Sequence, residues 1–203
     1  MSENNILGAV LAGGKSKRFG KDKSGIKLGS KTLIEHTLNK IESKFNTIII
    51  VSNNKIVNNY ITIKDCIEGQ LGPLVGVLSA MKWIIKNNCP QKWVATFPCD
   101  TPFFSISIID KFIEATKLND SLLYFVKSNE RKHNIFGLWS LKLVETLEKD
   151  IIENNHRKVE KWANEIGVKT IDMPYDNIDP FFNINTQEDL IEAEKILTKN
   201  KND

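Results

Sequence analysis

The chain has 203 residues, of which 41% are hydrophobic and 26% charged, and its formal net charge is +3. That composition excludes a disordered polymer and a membrane-embedded bundle, and the charge is too small to mark a nucleic-acid binder by itself. Three cysteines, Cys66, Cys89 and Cys99, are odd in number and lack metal-ligand or redox-pair spacing, which argues against a disulfide framework or a zinc site.

In chain order, "ILGAVLAGG" reads as a buried strand ending in a glycine turn, and "TLIEHTLNKIESKF" places Leu33, Ile34, Leu38, Ile41 and Phe45 at helical spacing. "NTIIIVSNN" is a second strand, and a short one follows near "NYITI". "GPLVGVLSAMKWIIK" passes from turn residues into a helix, and "KWVATFPCDTP" is a buried strand stopped at a proline-flanked turn. In the second half "SLLYFVKS" and "NIFGLWSL" read as strands, "KLVETLEKDIIEN" and "RKVEKWANEIG" as helices. "NINTQEDLIEAEKIL" closes the chain with a capping box, Thr186 to Asp189, and an amphipathic helix. Strands alternating with helices predict a Rossmann-like α/β fold, a mainly parallel sheet with helices on both faces. Ligands of such sheets bind beyond the carboxyl ends of the strands, so the loops after "AVLAGG", "IIIVSN" and "VATFPCD" should share one crevice.

Length and runs together predict one domain over 1–203, with residues 198–203 a frayed tail. No basic-then-apolar leader opens the sequence and no apolar run approaches bilayer length, so a cytoplasmic protein with no membrane and no nucleic-acid partner is expected.

After the first strand, Gly13 and Gly14 let a ligand come close to backbone N–H groups, an arrangement suited to phosphate oxygens. Lys15, Lys17, Arg18, Lys21 and Lys23 surround that backbone with positive charge. The stretch is neither G-x-x-x-x-G-K-[ST] nor G-x-G-x-x-G, so it is not a Walker A loop or a dinucleotide fingerprint. A lysine-rich surface turn is the plain alternative. At the end of the third long strand, Asp100 in "PCDTP" can turn a carboxylate into the crevice and hold Mg²⁺ against phosphate oxygens; the alternative is a cap or turn aspartate.

"LAGGKSKRFGKDK" resembles the L-A-G-G-x-x-x-R-x-G-x-x-K signature of nucleotidyltransferases built on a Rossmann-like sheet. "GPLVG" resembles their G-P-L-x-G turn, "FPCDTP" their acidic metal site, and "FFNINTQEDL" an N-x-N-T-x-x-[ED]-L segment. Together, in order over residues 6 to 197, they resemble the molybdenum cofactor guanylyltransferases. The resemblance implies a nucleotide-diphospho-sugar-transferase-like fold and transfer of GMP from GTP to the terminal phosphate of Mo-molybdopterin, with release of pyrophosphate and with Mg²⁺ as cofactor. It implies that backbone groups of Leu11, Ala12 and Gly13 lie against the nucleotide, with Arg18 and Lys23 along its phosphates and Asp100 on the metal. Lys23 would be the most important cation. Asp65, seven residues before Gly72, matches an aspartate associated with guanine binding, and a carboxylate can accept from both N1–H and the exocyclic amine of guanine. Glu68 competes for that role. Asn53 matches a position near the nucleoside, against a plain turn role. Asn183 and Asn185 alternate on a short extended stretch, so both can point to one face, on the pterin side.

His133 stands where relatives often carry His-Pro, but Asn134 follows it here; a pterin contact and a surface histidine are both open. Trp83, Trp93, Trp139 and Trp162 are scattered among apolar patterns and read as packing residues. Transient contacts with molybdopterin-delivering proteins and recipient molybdoenzymes also follow from the resemblance. A cytidylyltransferase making the cytosine form of the same cofactor is the near rival, and a non-catalytic nucleotide-binding protein the distant one.

Overall fold

The computed structural model describes residues 5–13, 23–54, 56, 59–69, 71–176 and 178–199. Arg18 and Gly14 lie outside these residues, and of Lys23 only the backbone is described, opening a short 3-10 turn, Lys23–Gly25.

Among the described residues seven strands form the main sheet. Its parallel part pairs β1 (Ile6–Leu11) with β4 (Ile48–Val51) on one side and with β6 (Trp93–Pro98) on the other, and β5 (Ile61–Ile63) continues from β4. β8 (Arg131–Ser140) runs antiparallel to β6, β7 (Leu123–Ser128) antiparallel to β8, and β9 (Lys169–Asp172) parallel to β7. The order is β5-β4-β1-β6-β8-β7-β9. The expected mainly parallel sheet is therefore present, joined to a part where direction reverses twice.

Continuous apolar runs form the central strands because both faces are covered. Alternation within β1 sends Ile6 and Val10 to one core, against α1 (Leu33–Ile41) and α3 (Ser107–Leu118). Leu7 and Ala9 enter the other, against α2 (Pro73–Lys86), α4 (Val144–Ile152) and α5 (Val159–Ile166). Trp139 and Trp162 are fully buried in that second core and stack 6.1 Å apart. Their indole N–H groups donate to Thr96 Oγ1 at 2.9 Å and Asp150 Oδ2 at 2.8 Å, so each large ring is buried without an orphaned donor. Trp93 is buried and Trp83 packs at the edge of the same core side as α2, in line with the packing role expected of all four.

A third, smaller core joins the short hairpin of β2 (Lys27–Leu28) and β3 (Lys31–Thr32) to α6 (Gln187–Lys199) through Leu28, Leu33, Ile184, Leu190 and Ala193. α6 runs through Lys199, with Thr198 Oγ1 donating to Glu194 O at 2.8 Å, so regular structure extends past the expected start of the tail at 198. Among the described residues no helix is long and apolar enough to cross a membrane.

Candidate active site

Three loops converge at the carboxyl ends of β1, β4 and β6, as the sheet topology predicts. Ala12 N–H donates to Val51 O at 3.0 Å and Cys99 N–H to Leu11 O at 3.3 Å, so the end of β1 is gripped from both neighbouring strands. Buried Ser52 Oγ donates to Ala12 O and accepts from Asn54 N–H. Gly13 follows exposed, and a Cβ added there would meet nothing within 4 Å among the described residues. Its φ lies outside the left-handed region. An open backbone flanked by a rigid strand end suits close approach by a ligand. On the neighbouring element, Gly72 caps α2 with φ 96° and Pro73 occupies the first helical turn. Gly76 lets α2 approach β1, where an added Cβ would lie 3.4 Å from Leu11 Cδ2.

Asn53 and Asp65, given separate roles above, are bonded to each other. Asn53 Nδ2 donates to Asp65 Oδ2 at 2.7 Å, and Asp65 N–H donates to Asn53 Oδ1 at 3.0 Å. This reciprocal pair ties the loop after β4 to the loop after β5. The next residue is anchored too: Cys66 N–H donates to Ser79 Oγ at 2.8 Å, and that hydroxyl donates to Val75 O within α2. Glu68 is exposed and Asp65 half-buried, so the structure gives Asp65 the fixed carboxylate.

Asp100 follows β6 and lies seven residues before α3, so it does not cap that helix. Its carbonyl accepts from Ile184 N–H at 2.9 Å. Thr101, fully buried, donates its hydroxyl to Asn183 Oδ1 and stands 3.3 Å from Asp100 Oδ1. Asn183 is thereby joined to Thr101, beside Asp100, across 82 residues of sequence. Asn185 N–H donates to Asp189 Oδ2 at 2.8 Å, and Thr186 with Asp189 forms the expected capping box. From α1, Thr37 Oγ1 reaches Pro98 O and Lys40 Nζ donates to Phe104 O at 3.0 Å, which brackets the Asp100 loop. Burial pushes the Lys40 ammonium down from its ordinary pKa.

His133 is not a surface residue; it is 8% exposed. Its Nε2 lies 2.5 Å from Ser128 Oγ and its ring stacks on Phe181, 4.0 Å between centroids. Burial foremost, and then Arg131, push its pKa down to about 4, with Asp179 opposing. Asn134 sits in an irregular stretch of β8, where the register with β7 slips between Phe125 and Val126.

A profile described as the MobA-like NTP transferase domain matches residues 8–167. A protein of Rhizobium johnstonii named molybdenum cofactor guanylyltransferase is 32% identical, across 97% of this chain and 95% of that one. The chain belongs to the molybdenum cofactor guanylyltransferase family. A Rhizobium rhizogenes protein of the same name is also 32% identical, over 93% and 90% of the two chains. Among solved structures, molybdopterin-guanine dinucleotide biosynthesis protein A of Archaeoglobus fulgidus aligns with a TM-score of 0.76 at 22% identity, covering 95% of this chain and 99% of that one. A CMP:2-keto-3-deoxy-manno-octonic acid synthetase solved with CTP aligns at 0.73 with 9% identity, a likeness of fold alone. The fold is thus that of the nucleotide-diphospho-sugar transferases.

As a member of the guanylyltransferase family the chain is a nucleotidyltransferase, and its donor set fits the metal such chemistry uses. Asp100 carboxylate, Thr101 hydroxyl and Asn183 amide oxygen are hard oxygen groups gathered at one strand end, whereas the Cys99 thiol is packed into the core. Among the described residues no three His, Cys, Asp or Glu side chains cluster for a metal. One carboxylate with substrate phosphates and water is a normal arrangement for Mg²⁺, which keeps much of its hydration. Ser52, Ser79 and Thr101 were not singled out from sequence. Ser79 carried a signal, a hydroxyl on the apolar face of a helix; Ser52 and Thr101 are recognisable only through their distant partners.

Proposed function

We propose that this chain transfers GMP from GTP to the terminal phosphate of Mo-molybdopterin, giving Mo-molybdopterin guanine dinucleotide and pyrophosphate. A phosphate oxygen of molybdopterin forms the new bond to the α-phosphorus, the α–β anhydride bond breaks, and pyrophosphate leaves with the electron pair. The observation that carries this reading is that the ends of β1, β4 and β6 are hydrogen-bonded into one platform bearing Asp65 on one side and Asp100 with Asn183 on the other.

The attacking phosphate is already anionic near neutral pH, so the protein's work is alignment and charge neutralisation rather than nucleophilic catalysis. The end of β1 at Leu11, Ala12 and Gly13, with its open backbone at Gly13, receives the nucleotide. Asp65, oriented by Asn53, accepts from guanine. Arg18 and Lys23 act along the phosphates, with Lys23 the principal cation. Asn183 and Asn185 present the C-terminal segment to molybdopterin. Asp100 would hold Mg²⁺, which when bound neutralises the triphosphate charge. Molybdopterin-delivering proteins and recipient molybdoenzymes are the transient partners, in the cytoplasm.

The test is GTP-dependent pyrophosphate release with molybdenum-loaded molybdopterin. Asp100→Asn should fold normally and lose most turnover, because a neutral amide of similar shape binds Mg²⁺ poorly. Wild-type activity of that variant at limiting magnesium would remove Asp100 from the metal, and equal use of GTP and CTP by the wild type would end the guanylyl reading.

A further inference from the structure

Aromatic rings link the end of β6 to the C-terminal segment. Phe97 of β6 stacks on Phe104, four residues after Asp100, at 5.5 Å; Phe104 meets Phe136 of β8 at 5.2 Å; Phe136 meets Phe181 edge-on at 5.1 Å. The series ends on His133, lying nearly parallel to Phe181 at 4.0 Å and 23°. All four phenylalanines are at most 2% exposed. Phe181 is fixed a second way: its N–H donates to Asp179 Oδ1 at 2.8 Å, and Arg131 at the start of β8 lies 3.9 Å from Asp179 Oδ2. Asn183, which reaches Thr101 beside Asp100, lies two residues after Phe181. A displaced Phe181 would therefore carry Asn183 with it, since a span of two residues leaves about 7 Å of chain in which to absorb the shift.

We propose that His133 is a positioning residue: held by Ser128 at the end of β7, its ring braces Phe181 and so sets where Asn183 and Asn185 stand relative to Asp100. Two features favour this over simple filling of space. Its nitrogen is bonded to a buried hydroxyl on a different strand, which fixes the ring plane. Its face is given to Phe181, two residues before Asn183. The charged groups facing it are Arg131 and Asp179, the same pair that holds the chain before Phe181. The consequence for catalysis rests on the reading that Asn183 and Asn185 serve molybdopterin.

The experiment pairs kinetics with amide exchange on the full chain. His133→Ala should raise KM for molybdopterin by roughly 10-fold, inside the up to about 10²-fold that a misplacement of ~1 Å can cost. KM for GTP should stay within about twofold of wild type, because the β4 and β5 loops are anchored elsewhere. His133→Phe, which keeps the stacking face, should restore the molybdopterin KM, while His133→Gln, which keeps only a polar group, should not. Without substrate, the amides of Ile184 and Asn185 should exchange faster in His133→Ala and return to wild-type rates in His133→Phe. His133→Leu replaces the alanine variant should the latter not fold. A drop in Tm with residues 181–185 exchanging no faster than the rest of the chain, and with the ratio of the two KM values unchanged, overturns the proposal. Asn183→Ala and Asn185→Ala with unchanged molybdopterin KM would overturn the role of the segment instead, and the exchange measurement would still decide whether His133 positions it.

Discussion

At Asp65, the residue proposed to read the base, the direction of the carboxylate is set by one neighbour. Asn53 engages both Oδ2 and the backbone N–H of Asp65, which holds the group in place before any nucleotide arrives. A preorganised acceptor should penalise ITP, which lacks the exocyclic amine, by about 1–3 kcal/mol relative to GTP. Asp65→Ala should narrow the GTP-to-ITP ratio of kcat/KM, and an unchanged ratio would direct attention to Glu68. His133 supports a different measurement. Its folded-state pKa is pushed down to about 4 from 6.5, so the neutral ring's contribution to stability is fully present above 6.5 and lost as pH falls toward 4. Replacing it by the non-titrating phenylalanine should flatten the fall in unfolding free energy over that window, and an unaltered acid limb would place the titration elsewhere. Residue types at both positions were visible in the sequence. That Asp65 is latched to Asn53 and that His133 is buried were not, because each depends on a partner from another strand.

Among elements, α6 shows how a local signal acts on the site. Thr186 and Asp189 cap it reciprocally, and Asp189 also accepts from Asn185 N–H. Asp189→Ala should cost about 0.5–2 kcal/mol, as loss of a cap does, and should weaken molybdopterin use more than GTP use because it frees the backbone beside Asn185. Denaturant unfolding and the two KM values check this; equal changes in both KM values would argue against a local effect. This box was legible from sequence, since all of its partners lie within four residues. α3 was not predicted: the run "FFSISIID" before and into it is rich in β-branched residues, and its first turn has no side-chain cap bond. The edge strand β9 has four residues, none of them buried, so no alternation marks it. The hairpin of β2 and β3 has two residues per strand and shows no period at all.

For the whole molecule, GTP with Mg²⁺ should stabilise the fold by binding only the native state. At ligand about 100 times above Kd the gain is about 2.7 kcal/mol, which for a chain of this size corresponds to a Tm rise of roughly 5–10 °C. Asp100→Asn should lose the magnesium-dependent part of that rise while keeping the unliganded Tm; a rise indifferent to magnesium in the wild type would contradict metal-assisted binding. The sequence by itself determined the central strands, the helices α1 and α2, and the meeting of three loops beyond the strand ends, because apolar period and glycine or proline punctuation are properties of contiguous residues. It also carried the family, through motifs spread in order from the glycine loop to Asn185. Only the tertiary structure decided the sheet order, in which β8 inserts antiparallel between β6 and β7, and with it the meeting of Thr101 with Asn183 and of His133 with Phe181. These contacts join segments tens of residues apart, and no period or spacing along a chain encodes which of several equally apolar strands will lie beside another.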